Sequence, residues 1–401
     1  MENEKTKYDV CIIGGLGHVG LPLGISLAAA GKRVALYDIN KQAVETVSKG
    51  EMPFIEHGAE ALLKKTLDKT LFLSSDPSAI SQSRYVIVVI GTPVDEHLNP
   101  KFTIFRKFLD DISGRLRDGQ HIVLRSTIFP GTTGMIREYF EAKGLKVSLS
   151  FCPERIAQGK AIEELRALPQ IISAFDEASM CEAAGLFSAI TDEIIRLSPL
   201  EAELAKLFTN VWRYIQFAIS NQFYQIAASN GLDFQRIHEA ITYKYPRAAA
   251  FPRAGLTAGP CLFKDTMQLA AFSNNNFFLG HAAMLINEGL PNFIVQNFKQ
   301  TSSLKDKTTG VLGMAFKAES DDKRESLSYK LKKILELEAG KVLCSDVYIR
   351  EEGFVTAGEL IDASDVIFIG APHKEYASLD LKGKTVVDIW NIIGKTRETA
   401  S

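Results

Sequence analysis

Cysteine is scarce. The 401 residues hold five, Cys11, Cys152, Cys181, Cys261 and Cys344, odd in number and far apart. That spacing excludes a disulfide framework and a Cys-x-x-Cys zinc site, and no metal centre is expected. No apolar run approaches the length of a membrane span, and the opening MENEKTKYD lacks an apolar signal core, which points to a cytoplasmic protein with no membrane partner. An excess of either charge is missing too. Lys and Arg number 46 against 48 Asp and Glu, for a net charge of -2. Nucleic acid and anionic membrane surfaces are thereby excluded as main partners, although a local cluster of cations could still hold an anionic small molecule. Short-period repeats and low-complexity tracts are absent. What remains is an ordinary globular composition, 46% hydrophobic and 23% charged, long enough for two or three domains.

Along the chain, YDVCIIG (8–14), RVALYD (33–38), YVIVVIG (85–91) and HIVLRS (121–126) read as strands separated by helical stretches, the first being 17–31. Buried Val/Ile strands with helical crossovers imply a doubly wound parallel sheet, continuing to about residue 195. The pattern then turns helical. One helix is expected over about 199–230, started by Ser198-Pro199 and stopped by Asn230-Gly231, with others over 233–242, 262–273 and 279–299. TTGVLGMAF, GKVLCSD, DVIFIG and KTVVDIW restore the strand rhythm after a polar junction at 300–307. The fold class is therefore α/β, with two Rossmann-like doubly wound domains (1–197 and 301–401) joined by a long helix and a helical linker domain (198–300).

GGLGHVG carries Gly15-x-Gly17-x-x-Gly20 after a strand and at the start of a helix, with His18 and Val19 between the last two glycines. The glycines permit a tight turn and close backbone approach to a pyrophosphate. Asp38 ends the second strand, where a carboxylate accepts hydrogen bonds from ribose hydroxyls and repels a 2′-phosphate, favouring NAD over NADP. VIGTPVDE and RSTIFPGTT follow the next two strands, at the carboxyl edge where ligands of such sheets bind. Thr92 and Thr127 are positioned to line the nicotinamide side, or else simply to cap the helices that follow.

On the long helix, Lys206 and Asn210 stand four residues apart and share a face that continues through Tyr214, Phe217 and Asn221. Alone, a Lys and an Asn there are more often solvated side chains, or a cap and a snorkelling stem. AGPCLFKDT (258–266) places Cys261 after Gly-Pro at a helix start. The positive helix end and Lys264 would make such a thiol more acidic. From its residues alone, this site accommodates a nucleophile and a packed thiol equally.

At this point the residues resemble a known family over almost the whole chain: the UDP-glucose/GDP-mannose dehydrogenases, or nucleotide-sugar 6-dehydrogenases. GLGHVGLPLG, VIGTP, RSTIFPGTT, CPERIAQGKAIEEL, AELAKLFTN, AGPCLFKDT and LGMAFKAESDDKRES carry the resemblance, in content and in order. It implies oxidation of a sugar C6 alcohol to a carboxylate with two NAD⁺. Cys261 would form a thiohemiacetal and then a thioester, Lys206 and Asn210 would stabilise the oxyanion, and Lys206 would also take the first proton. Asp265 and Thr127 would position water, and Glu154 would be the base of the thioester step. Lys264 and Arg324 match positions that touch NAD. Arg155, Gly259, Phe316 and Lys317 match positions on the nucleotide sugar, as do Lys206 and Asn210. Arg247 matches an arginine lent across a homodimer interface, the dimer being expected through the long helices. The last domain would bind UDP.

The chain also departs from the family's pattern. Ala258-Gly259 stands for a pair of glycines, Gln158 for an acid, and Asp388-Ile389-Trp390 for Asp-x-Arg. Trp390 reads as base-stacking or as core. The PER of CPER resembles the N-acetylhexosamine branch, so UDP-N-acetylmannosamine or UDP-N-acetylglucosamine is expected, with UDP-glucose and dTDP-sugars open. The rival readings are a two-electron hydroxyacid-type dehydrogenase and a catalytically silent NAD-binding protein.

Overall fold

The computed structural model describes residues 6–91, 102–257 and 259–393. The chain divides into two compact units, Met1–Phe208 and Thr209–Ser401.

The first unit is built on eight strands: β1 (Tyr8–Ile13), β2 (Val34–Tyr37), β3 (Leu71–Ser74), β4 (Ser83–Val88), β5 (His121–Leu124), β6 (Ser148–Phe151), β7 (Gln170–Ala174) and β8 (Ile194–Leu197). Their order is β3-β2-β1-β4-β5-β6-β7-β8. Because side chains alternate along a strand, neighbouring residues feed opposite cores. Val10, Ile12, Leu36, Ile87 and Val123 enter one apolar cluster, and Cys11, Ile13, Ala35, Val86 and Val88 the other. Helices cover both faces, which is why the central strands read as continuous apolar runs.

The sheet is parallel up to β6, but β7 pairs antiparallel with it, Ser150 opposite Ala174 and Phe151 opposite Ser173. A wholly parallel sheet is therefore not what forms. The cause lies in the connection. The Arg155 guanidinium donates to Pro169 O, and Gln170 Nε2 donates to Pro153 O at 3.3 Å. The chain thus stays at the edge where β6 ends, and β7 must run back from there.

The second unit contains most of a 31-residue helix, Pro199–Ser229, whose start is held by Ser198 N–H and hydroxyl donating to Glu201. Gly231, with φ +68°, turns the chain after it. Helices Phe234–Thr242, Leu262–Phe272 and Phe278–Lys299 follow. A second, wholly parallel sheet joins β9 (Thr308–Leu312), β10 (Lys341–Ser345), β11 (Val366–Ile369) and β12 (Thr385–Val387) in the order β10-β9-β11-β12. Its crevice opens at the carboxyl ends of β9 and β11, where the winding reverses. Among the described residues, no helix is long and apolar enough to cross a membrane.

Candidate active site

The turn after β1 shows why three glycines stand there. A Cβ on Gly15 would come within 2.9 Å of Leu36 Cα, and one on Gly20 within 2.6 Å of Gly14 O. Gly17 differs: its Cβ would meet only Gly14 O, at 3.9 Å, so the space over it is clear for a ligand. The helix Gly20–Ala29 starts from Val19, which offers no side-chain cap. No side chain compensates its positive end, which is where a phosphate would bind. Asp38 Oδ2 accepts the Leu16 N–H at 3.0 Å and Oδ1 the Asn40 N–H at 3.0 Å, so the carboxylate is aimed by the glycine turn itself. His18 packs its ring against Phe54. These residues fit an NAD adenosine and pyrophosphate. Thr92 lies outside the described residues.

Beyond β5, the loop bearing Thr127 is anchored by a residue that sequence reading passed over. Glu203, 1% exposed on the long helix, accepts the N–H groups of Gly131 at 2.5 Å and Thr133 at 2.8 Å. It compensates the positive end of the helix Thr132–Ala142. Glu154 is also held hard. Its Oε1 accepts the Arg155 and Ile156 N–H groups at 2.7 and 3.0 Å, and its Oε2 pairs with the wholly buried Arg125. Arg125 further donates to Cys152 O and Gln170 Oε1, and its guanidinium lies over the Phe187 ring. Arg155 is half-buried, and that burial lowers its pKa. Lys206 lies half-buried on the long helix.

In the second unit Cys261 is the N-cap of the helix Leu262–Phe272, and it is exposed. Three of the other cysteines contrast with it. Burial pushes the Cys11 and Cys152 thiols up to about 12 and Cys344 up to about 11. The fourth, Cys181, is exposed and donates to Glu177. Four residues beyond Cys261, Asp265 is fully buried, and Asn210 Nδ2 donates to its Oδ2 at 2.5 Å. Lys264 Nζ stands 3.9 Å from Asp265 Oδ1. Arg324 forms a bidentate pair with Asp322. That pair, and more weakly the charge of Cys261, raises the guanidinium above its ordinary pKa. Sulfur, amide, carboxylate and guanidinium therefore belong to one neighbourhood.

Gly259, with φ +106°, lies against the Phe316 ring, and Lys317 Nζ stands 5.8 Å from that ring's centroid. Arg247 is exposed, its Nε donating to Tyr245 OH at 2.8 Å. Trp390 is half-buried, packs against both apolar clusters of this unit and donates Nε1–H to Gly370 O at 3.1 Å, at the strand ends. Ala258 lies outside the described residues, and Gln158 is half-buried in the turn before Gly159. Among the described residues no group of His, Cys, Asp and Glu is arranged to hold a metal ion.

Comparison with known proteins agrees with this geometry. Residues 8–191 match the NAD binding domain of the UDP-glucose/GDP-mannose dehydrogenase family, 200–288 its central domain and 310–395 its UDP binding domain. The UDP-N-acetyl-D-mannosamine dehydrogenase of Methanocaldococcus jannaschii is 28% identical, over 96% of this chain and 93% of that protein. Among solved structures, the UDP-D-ManNAc dehydrogenase of Pyrococcus horikoshii is 25% identical with a TM-score of 0.89, covering 96% of each chain. A UDP-glucose dehydrogenase of Pyrobaculum islandicum is 26% identical with a TM-score of 0.85, covering 97% of this chain and 95% of that one. The chain belongs to the UDP-glucose/GDP-mannose dehydrogenase family, and is an NAD-dependent oxidoreductase acting on the alcohol of a nucleotide sugar.

Proposed function

We propose that the enzyme oxidises C6 of a UDP-N-acetylhexosamine, UDP-N-acetylmannosamine first, to the carboxylate through a covalent bond to Cys261. One observation carries this reading. Cys261 is the exposed thiol at a helix N-terminus, and it shares its neighbourhood with Arg324 and the buried Asn210–Asp265 pair. The mannosamine enzymes of M. jannaschii and P. horikoshii, alike over nearly their whole length, support the choice of sugar, as does Arg155 in CPER.

NAD⁺, when bound, accepts one hydride in each of two oxidations. Lys206 takes the proton of the C6 alcohol, leaving an aldehyde. The Cys261 thiolate, stabilised by the helix end and the guanidinium, adds to that carbonyl, and Lys206 and Asn210 hold the resulting oxyanion. Loss of the second hydride leaves a thioester. Water positioned by Asp265 and Thr127 then attacks it with Glu154 as base, breaking the C–S bond and releasing carboxylate and thiol. The firm seating of Glu154 and Asp265 suits this step, since neither carboxylate needs to reorganise. Gly15, Gly17, His18, Val19, Gly20, Asp38, Thr92, Lys264 and Arg324 serve NAD. Arg155, Gly259, Phe316 and Lys317 serve the nucleotide sugar. We assign 1–197 to NAD, 198–300 to the nucleophile and 301–401 to UDP.

We further propose a cytoplasmic homodimer. Trp212, Ile219, Phe223 and Ile226 are 60%, 41%, 47% and 55% exposed. At 100° per residue they form one apolar stripe on the long helix, which a second copy would cover. Arg247, exposed beyond that helix, would be lent to the partner's site. Light scattering at micromolar concentration should report a dimer, and a strict monomer would refute it. Cell fractionation tests the location.

The deciding experiment follows NADH with a panel of nucleotide sugars, for the parent and Cys261→Ser. Two NADH per sugar are expected, with the serine variant releasing no free acid. One NADH per sugar would mean a two-electron dehydrogenase, and none from any sugar a catalytically silent NAD-binding protein. Turnover of UDP-glucose or a dTDP-sugar alone would move the substrate assignment.

A further inference from the structure

The loop that leaves β9 carries Phe316 and Lys317, and two buried side chains from the segments that follow β10 and β11 hold it at both ends. The exit is fixed by Gly313, whose φ is +93° and whose Cβ would stand 2.5 Å from Ala371 N. Just beyond, Asp346 gathers four main-chain N–H groups on one carboxylate. Its Oδ2 accepts from Met314 at 2.5 Å and Ala315 at 3.0 Å, and its Oδ1 from Tyr348 at 2.8 Å and Ile349 at 2.9 Å. His373 Nε2 lies 3.2 Å from the same Oδ2, and its Nδ1 accepts the Glu319 N–H at 3.0 Å. An accepting Nδ1 means a neutral ring whose proton sits on Nε2 and is donated to Asp346. Asp346 thus grips the start of the loop and His373 its end. Glu319 is gripped in turn, accepting from Tyr348 OH at 3.0 Å and Lys374 N–H at 2.9 Å.

The middle of the loop reaches the cysteine segment. Gly259 sits so close under Phe316 that a Cβ there would stand 2.6 Å from Cδ2 of the ring. The Gly259 N–H donates to Glu325 O at 3.3 Å, and Cys261 follows two residues later. Both His373 and Asp346 have wholly buried side chains. Apolar residues of equal volume stabilise a core at least as well as a buried carboxylate–imidazole pair. What the pair adds is direction, because each of its bonds places a particular main-chain group.

We infer that Asp346 and His373 are positioning residues for the reaction: they set the Phe316 loop and, through the ring's contact with Gly259, the placement of the Cys261 segment. This rests on the reading of Cys261 as nucleophile and of Phe316 and Lys317 as nucleotide-sugar residues. Neither positioning residue touches the reacting atoms, so a purely structural role is the alternative to defeat.

The test uses the full-length enzyme, its best nucleotide sugar and a double-mutant cycle of His373→Ala with Phe316→Ala. His373→Ala should lower kcat/KM for the nucleotide sugar about tenfold or more and leave the NAD⁺ KM within about twofold, while His373→Asn, which keeps an acceptor for the Glu319 N–H, recovers most of the loss. The double variant should be no worse than Phe316→Ala alone within about twofold, because the ring is the route of the effect. Losses that multiply across the cycle, or a change in Tm with parental kinetics, would overturn the inference. Should His373→Ala fail to fold, His373→Leu, which fills the space without an acceptor for the Glu319 N–H, and Phe316→Leu supply the cycle. Lys317→Ala and Cys261→Ser stand apart: a parental nucleotide-sugar KM in the first, or parental acid formation in the second, rejects the underlying reading and not the coupling.

Discussion

Trp390 rests on the backbone of Gly255: a Cβ on that glycine would overlap the six-membered part of the indole. The Gly255 N–H donates to Asn221 Oδ1 at 2.9 Å, and Asn221 Nδ2 donates to Asn287 Oδ1 at 2.8 Å. Six residues before Cys261, the chain is therefore held by an indole and by a buried amide pair from two helices. Gly255→Ala should destabilise the protein by about 1–3 kcal/mol, the range for forcing a methyl into a packed interior. Trp390→Ala in the same chain should relieve most of that added cost. Urea unfolding of the two single variants and the double gives the comparison, and independent, additive losses would show that the ring does not fill the space over Gly255.

The five thiols should separate by reactivity. Burial raises Cys11 and Cys152 to about 12 and Cys344 to about 11, so at pH 7.5 they hold almost no thiolate and little access. In the native protein, iodoacetamide should label Cys261 and, more slowly, Cys181, both exposed. Peptide mass spectrometry reads the order, and NADH formation should fall in step with labelling at Cys261. Loss of activity that tracks Cys181 instead would contradict the assignment.

Asp38, proposed to hold the ribose of NAD, ties down the glycine turn through Leu16. Asp38→Ala should therefore raise the NAD⁺ KM about tenfold or more, in line with about 1.5–3 kcal/mol for a hydrogen bond to a charged group. The nucleotide-sugar KM should stay within about twofold. Steady-state kinetics with each substrate varied in turn is the check.

Asp346 gives a pH signature. Burial acts to raise its pKa, but hydrogen bonds from His373 and from the Ile349 and Met314 amides outweigh that and hold it below its ordinary 3.8. A carboxyl depressed on folding adds stability above the unfolded value and loses it as pH falls through the folded one. Chemical unfolding at pH 6 and pH 3 should show a smaller drop for Asp346→Asn than for the parent, with the variant the less stable at pH 6. Equal drops would remove Asp346 from the acid response.

Much of this was legible along the chain because it depends on local chemistry. The alternating cores of β1, β4 and β5 follow from the pleat, and Gly15 and Gly20 mark close approaches with no room for a Cβ, while Gly17 leaves clear space over the turn. Cys261 stands out by following Gly-Pro at a helix start, which suits a nucleophile and a packed thiol equally; its role comes from the family resemblance. Where sequence reading went wrong, at the direction of β7, the cause was Arg155 and Gln170 closing their own loop, which no apolar periodicity records.

The pairings left unread share one property. Arg125 meets Glu154, Glu203 meets Thr133, Asn221 meets Asn287, and Asp346 meets His373 across 29, 70, 66 and 27 positions. Spacing along a helix or strand says which side chains share a face, and so the amino-acid order by itself determined the sheets, the dinucleotide turn and the site of the thiol. Which buried polar group satisfies which other is settled only when distant segments are brought together, since an unpaired charge or amide in the interior is too costly to leave. Tertiary structure therefore decided what seats Glu154 and Asp265, what holds the Phe316 loop, and that the half-buried Trp390 packs over Gly255.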